Sequence, residues 1–167
     1  VMFSYDSQDK VLFSADAFGK FGANDIEDPE GWACEARRYY FGIVGKFGKN
    51  VQAVLQKVAA LDVEYICPLH GPVLSENLAY YVEAYTTWAH YEPENSGVTI
   101  AYASVYGHTK QAAEELARAL EEKGQTVSLF DLARDDMAEA VEDAFRYNRL
   151  VLASITYAGD IFPFMTT

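Results

Sequence analysis

The sequence is poor in the features that would tie it to an oxidising compartment, a membrane or a nucleic acid. Cysteine occurs only twice in 167 residues, at Cys34 and Cys67, which is too few for a disulfide framework and lacks Cys-x-x-Cys spacing. No apolar run approaches the roughly 20 residues that a membrane-spanning helix needs. No charged-then-apolar segment at the N-terminus marks export, so a cytoplasmic location is expected. Basic residues are scarce: 13 Lys and Arg face 25 Asp and Glu, for a formal net charge of -12. That field repels phosphate backbones and anionic surfaces, so neither nucleic acid nor membrane is an expected partner. Five prolines and eleven glycines exclude collagen-like or low-complexity character.

What is present is apolar material, 50% of the residues with 23% charged, enough for one full domain or parts of two. The chain opens on Val1 in a strand-like run and ends in the loop chemistry of Phe162-Pro163-Phe164-Met165-Thr166-Thr167, so both ends are expected to be cuts in a longer protein. Two halves of different pattern meet at Glu92-Pro93-Glu94-Asn95-Ser96-Gly97, a polar stretch with Pro and Gly. The expected domains are residues 1–95 and 96–167.

In the first half, Val1 to Tyr5 and Val11 to Ala15 read as a β-hairpin around a polar turn. Apolar residues at helical spacing predict helices over Trp32 to Ile43, Asn50 to Ala60 and Asn77 to Tyr91, with a buried strand over Val63 to Cys67 before Pro68. The second half reads strand Val98 to Ala103, helix Thr109 to Lys123, strand Thr126 to Phe130, helix Asp136 to Tyr147, strand Leu150 to Ile155. This β-α-β-α-β order demands parallel strands, each reached by a crossover helix. Such doubly wound sheets bind ligands beyond the carboxyl ends of their strands, which directs attention to the loops after Ala103 and Ile155.

The first of these loops, Ser104-Val105-Tyr106-Gly107-His108-Thr109, sets hydroxyls, a glycine and a helix N-terminus within six residues. Backbone N–H groups and the positive helix end can hold a phosphate there without a cation. On residue types alone the run is equally a capped helix start. It lacks the Gly-Lys-Ser/Thr of a nucleotide-hydrolysing loop and the spaced glycines of a dinucleotide fold, so a mononucleotide fits best. In the second loop, Ser154-Ile155-Thr156-Tyr157-Ala158-Gly159-Asp160, Tyr157 can stack on a flat ring or be an ordinary turn residue. Together the loops favour flavin mononucleotide (FMN).

These two loops resemble a flavodoxin-like domain. By position the resemblance implies phosphate contacts from Ser104, Tyr106, Gly107, His108 and Thr109, and isoalloxazine contacts from Thr156, Tyr157, Ala158 and Gly159. It also implies two further strands and a third flavin loop beyond Thr167. In the first half, Asp16 ends one strand and His70, in Cys67-Pro68-Leu69-His70-Gly71-Pro72, follows another. A carboxylate and an imidazole are suitable ligands for iron or zinc, though each residue also serves as an ordinary turn or loop residue. Both segments resemble the C-terminal ligand segments of the metallo-β-lactamase fold, with Asp16 as the metal-bridging carboxylate and His70 as the last ligand.

A partial metallo-β-lactamase-like αββα domain followed by a partial flavodoxin-like doubly wound sheet, both α/β, resembles the central part of the flavodiiron proteins. The Tyr39-Tyr40-Phe41-Gly42-Ile43-Val44-Gly45 helix and the Tyr-rich helix before the linker share in it. The resemblance implies an oxidoreductase in which FMN passes electrons to a non-haem diiron centre that reduces dioxygen to water or nitric oxide to nitrous oxide. It further implies a rubredoxin-type electron donor, a head-to-tail homodimer or tetramer, and an upstream His-x-Glu-x-Asp segment completing the metal ligands, so that these 167 residues alone are expected to be inactive. Two alternatives stay open: an FMN-binding electron carrier without a catalytic metal, and a zinc hydrolase of the metallo-β-lactamase fold. Cys34, Cys67, Trp32 and Trp88 read as structure, His90 as a boundary residue, and Glu114-Glu115 and Glu121-Glu122-Lys123 as a solvated helix face. The edge of the third strand of the second half is expected to lack a pairing neighbour.

Overall fold

The computed structural model describes residues 2–26 and 31–166. Val1, with which the predicted first strand begins, and Thr167 lie outside the described residues. The chain divides into two compact units, Val1–Glu92 and Pro93–Thr167.

In the first unit, β1 (Ser4–Asp6) and β2 (Val11–Ala15) form an antiparallel hairpin. Its turn is closed by the Asp6 carboxylate, which accepts from the Gln8 N–H at 2.9 Å. β3 (Tyr65–Pro68) adds to β2 in parallel, with Leu12 opposite Ile66, and the register shifts between Phe13 and Ala15. Alternation places Leu12 and Ile66 on the buried face, each 1% exposed, while Phe13 stays half-exposed on the other.

Three helices supply the rest of the core. α1 (Trp32–Tyr39) runs directly into a π-helical turn over Tyr40–Val44 and a 3₁₀ turn over Gly45–Phe47 before α2 (Gly48–Val58) begins. The predicted helix over Trp32 to Ile43 is thus a wider, rewound segment in its second half. α3 (Leu78–Ala89) packs on α2. Gly48 permits this approach, because a Cβ there would lie 2.6 Å from the Ala89 carbonyl oxygen; the Tyr91 hydroxyl donates to the Gly45 carbonyl across the same contact. Leu12, Phe18, Tyr40, Leu55, Ile66, Tyr85 and Trp88 form the apolar centre. Trp32 and Trp88 stack at 5.8 Å within it, the packing role expected of them.

In the second unit, β4 (Val98–Tyr102), β5 (Val127–Asp131) and β6 (Leu150–Ala153) form a parallel sheet in the order β5-β4-β6. The crossover helices are α4 (His108–Glu121) and α5 (Met137–Arg146). Val98, Ile100 and Tyr102 pack against Ala113 and Ala117 of α4, whereas the intervening Thr99 donates its hydroxyl to the Asp143 carbonyl of α5 at 2.9 Å. Alternate residues of β4 therefore meet different helices, so the two helices cover opposite faces, as the doubly wound reading requires. Glu114, Glu115, Glu121 and Glu122 are exposed, as expected of a solvated face. Among the described residues β6 pairs only with β4. Beyond β6, the segment read as a loop forms a two-residue hairpin, β7 (Thr156–Tyr157) with β8 (Asp160–Ile161). Ala158 and Gly159 both take positive φ, 51° and 83°, the requirement of a type I′ turn.

Candidate functional site

The first candidate site lies at the carboxyl ends of the parallel pair β2 and β3. The irregular register near Ser14 and the left-handed Ala15 (φ 51°) turn the chain sharply as it leaves β2, a device that re-aims the side chains that follow. The Leu69 N–H donates to the Ala15 carbonyl at 2.9 Å, tying the two strand ends together. Asp16 and His70 thereby become neighbours, with the Asp16 carboxylate Oδ1 3.8 Å from His70 Nε2. Metal bonds to carboxylate oxygen and imidazole nitrogen are about 2.0–2.2 Å long, so one ion can reach both atoms at this separation. The pair fits a metal, and as partly exposed side chains (40% and 57%) both are accessible to one. Among the described residues no group of three or more His, Cys, Asp or Glu is placed to hold a metal, so these two supply only part of a coordination set.

A third residue belongs to this site. The Tyr39 hydroxyl, from the last turn of α1, donates to Asp16 Oδ1 at 3.3 Å, and its ring lies 5.7 Å from that of His70. Burial first, and then the charge and hydrogen bond of Asp16, push the Tyr39 phenol up to about 12, so it is a neutral donor throughout the physiological range. Sequence reasoning placed Tyr39 on a helix within a family-like segment without a role. The chain has twelve tyrosines, and helical spacing alone does not single out the one that meets Asp16. Beside the site, a cavity of about 660 Å³ runs between the Asp16 loop and α2, with Phe3, Phe18, Val44 and Val54 among its walls. His90 stands elsewhere, exposed at the end of α3 with Nδ1 2.7 Å from the Thr86 carbonyl.

The second candidate site lies at the carboxyl ends of β4 and β6. The Ala103 N–H donates to the Ala153 carbonyl at 2.9 Å, so the loops after these adjacent strands start side by side. In the first, Gly107 takes φ 91° as the N-cap of α4, and no side chain caps the helix. A Cβ at Gly107 would meet nothing within 4 Å; the left-handed conformation, rather than crowding, is what calls for glycine there. The Gly107 N–H donates to Ser104 Oγ at 3.1 Å, which folds the loop and leaves the Ser104 hydroxyl proton free to donate. An uncapped helix start beneath an open glycine, with Ser104 and Thr109 at its two ends, fits a phosphate. His108 and Thr109 open the helix, and Tyr106 stands out at 88% exposure.

From the second loop the β7–β8 hairpin presents Thr156, Tyr157, Ala158 and Gly159, all exposed. Tyr157 is 55% exposed and is held edge-on by Phe162 at 5.6 Å, so a face of its ring remains available to a planar group. The hairpin gives these residues a defined backbone that the sequence did not announce, because two-residue strands are too short to show alternation.

Comparison with known proteins bears on the fold. The flavodoxin family model matches residues 100–164. An uncharacterised protein of Methanocaldococcus jannaschii is 30% identical over 166 residues, covering 97% of this chain and 42% of that protein. The anaerobic nitric oxide reductase flavorubredoxin of Vibrio vulnificus is 30% identical over 171 residues, covering 97% of this chain and 34% of the relative. Among solved structures, the flavodiiron protein of Giardia intestinalis superposes with a TM-score of 0.91 at 22% identity over 98% of this chain and 42% of its own. The rubredoxin oxygen:oxidoreductase of Desulfovibrio gigas gives 0.89 at 24% identity over 99% and 43%. The chain therefore spans less than half the length of these relatives.

Proposed function

We propose that the chain is part of a flavodiiron protein, an FMN-linked, diiron-dependent oxidoreductase acting on dioxygen or nitric oxide; the flavorubredoxin relatives and the flavodoxin match over residues 100–164 support this reading. Residues 1–95 are the C-terminal part of the metal domain and residues 96–167 the N-terminal part of the flavin domain. The observation that carries the reading is the meeting of Asp16 and His70, far apart in sequence, at 3.8 Å on adjacent strand ends.

In this reading Asp16 and His70 hold iron, while Ser104, Tyr106, Gly107, His108 and Thr109 hold the FMN phosphate and Thr156, Tyr157, Ala158 and Gly159 line the isoalloxazine. Bound there, FMN supplies electrons singly and the iron pair supplies a redox centre for the small diatomic substrate. Asp16 contributes the negative charge that a cation needs. Tyr39 directs the carboxylate by donating to one of its oxygens, and His70 presents its ring Nε2 beside it. At the second site the α4 N-terminus neutralises part of the phosphate charge, which lets an acidic chain bind an anion. Names such as flavorubredoxin and rubredoxin oxygen:oxidoreductase among the relatives support a rubredoxin-type donor. A cytoplasmic homodimer or homotetramer completes the proposal.

The test is a pair of titrations on the purified chain, with FMN followed by flavin fluorescence and with ferrous iron under argon followed by the His70 ring resonances. Binding of both, with iron binding lost in Asp16→Asn and FMN binding weakened in Thr109→Ala, is the expected result. Flavin binding without metal would mark an electron carrier, and binding of zinc in a parallel titration without flavin a hydrolase; either would overturn the proposal.

A further inference from the structure

The loop that delivers Asp16 contains a backbone conformation that its own residues do not secure. From the last residue of β2 to Gly19 the chain passes through two left-handed residues, Ala15 (φ 51°) and Phe18 (φ 64°), and neither is glycine. A bulky residue in this region is strained and persists only where surrounding structure holds it. Most of the loop closes on itself: the Ser14 hydroxyl donates to the Ala17 carbonyl at 2.7 Å, the Ala17 N–H to Ser14 at 3.0 Å and the Gly19 N–H to Asp16 at 3.4 Å. The Phe18 N–H does not join this set. It donates to the phenolic oxygen of Tyr85, 67 positions away on α3, at 2.6 Å in a buried setting.

Tyr85 is well placed to act as a fixed acceptor. It is fully buried, and its ring is boxed by Phe18 at 4.4 Å, Tyr40 at 5.0 Å and Trp88 at 5.3 Å, so the oxygen cannot swing away. A phenylalanine would fill the same space, which leaves the Phe18 N–H as the group that the hydroxyl serves. We propose that Tyr85 is a positioning residue: by accepting the Phe18 N–H it holds the strained turn two residues beyond Asp16, and through it the Asp16–His70 spacing on which metal binding depends. Tyr39 steers the carboxylate from one side while Tyr85 anchors the backbone from the core. The inference rests on Asp16 and His70 being metal ligands.

Tyr85→Phe tests it, since the ring is kept and the fold with it. Val58→Ala, which thins the same core within α2, serves as a control for lost stability alone. Two readouts are compared: hydrogen exchange at the Phe18 amide, and Co²⁺ titration of the whole chain followed on the His70 ring resonances. Tyr85→Phe is expected to speed exchange at Phe18 about ten-fold beyond its neighbours and to weaken Co²⁺ binding about ten-fold, the usual scale for residues that orient ligands. Val58→Ala is expected to lower the melting temperature without a selective change in either. Unchanged Co²⁺ affinity in Tyr85→Phe overturns the positioning role while leaving the metal site intact. If instead the unaltered chain shows no Co²⁺ effect at His70, or Asp16→Asn binds as tightly as the original, the metal reading fails and this inference with it.

Discussion

Replacing Tyr39 by phenylalanine isolates one hydroxyl beside Asp16 and His70 in the first unit, and two opposing effects follow. At neutral pH the variant loses a hydrogen bond to a carboxylate. Bonds to charged groups contribute about 1.5–3 kcal/mol, and the 3.3 Å length to a carboxylate still partly in water takes this one below that range, to about 1 kcal/mol. At alkaline pH the sign reverses. The Tyr39 phenol ionises at 10.0 in the open chain and is pushed up to about 12 in the folded one. The folded state therefore keeps a proton that the unfolded state has released. The stability this represents is complete below pH 10 and is lost as pH rises toward 12. Two units correspond to at most about 2.7 kcal/mol, and with the site partly open to solvent we expect about 2 kcal/mol. Tyr40, also raised by burial, stays in both proteins and cancels; Tyr85, raised chiefly by burial, keeps that effect in both and loses only a lesser contribution from Tyr39. Denaturant unfolding at a series of pH values should show the original protein more stable by about 1 kcal/mol at neutral pH, with the two curves converging above pH 10 and crossing as pH approaches 12, where the variant becomes the more stable by about 1 kcal/mol. Curves that stay parallel into the alkaline range would refute the burial of the Tyr39 hydroxyl against Asp16.

Gly48→Ala forces a Cβ to 2.6 Å from the Ala89 carbonyl, where helix backbones cannot yield cheaply; a cost of about 2 kcal/mol should appear as a lowered melting temperature. Ala158→Gly removes a left-handed alanine (φ 51°) from the β7–β8 turn and should slow hydrogen exchange in that hairpin, a gain of about 0.5–1 kcal/mol. Thr109→Ala at the start of α4 should weaken FMN binding about ten-fold and leave riboflavin, which has no phosphate, unaffected; isothermal titration with both ligands separates the two.

Much of the second unit was legible in the sequence because its logic is local. Strand and helix periods alternate cleanly from Val98 to Leu152, and this alternation permits only parallel pairing with crossovers. Asp16 and His70 were legible as residue types after strands, and their pairing at 3.8 Å is consistent with the resemblance that selected them. Elsewhere the deciding contacts are nonlocal. Tyr39 meets Asp16 only because α1 packs back over the strand ends, and Tyr85 serves Phe18 from 67 positions away; neither contact leaves a local pattern. The π-helical turn at Tyr40–Val44 lies within a run whose apolar spacing is that of an α-helix. It differs only in which carbonyl each N–H finds, and residue types do not record that. The β7–β8 hairpin was hidden for another reason, since Ala158 occupies a turn position that Asn or Gly usually fills.

The most direct test of the account is a crystal structure of the chain grown with ferrous iron and FMN, with anomalous scattering collected at the iron edge. The account predicts an iron peak bonded to Asp16 Oδ1 and His70 Nε2, and the FMN phosphate seated on the first turn of α4 between Ser104 and Thr109. An iron peak that avoids both side chains, or a flavin bound away from that turn, would contradict it.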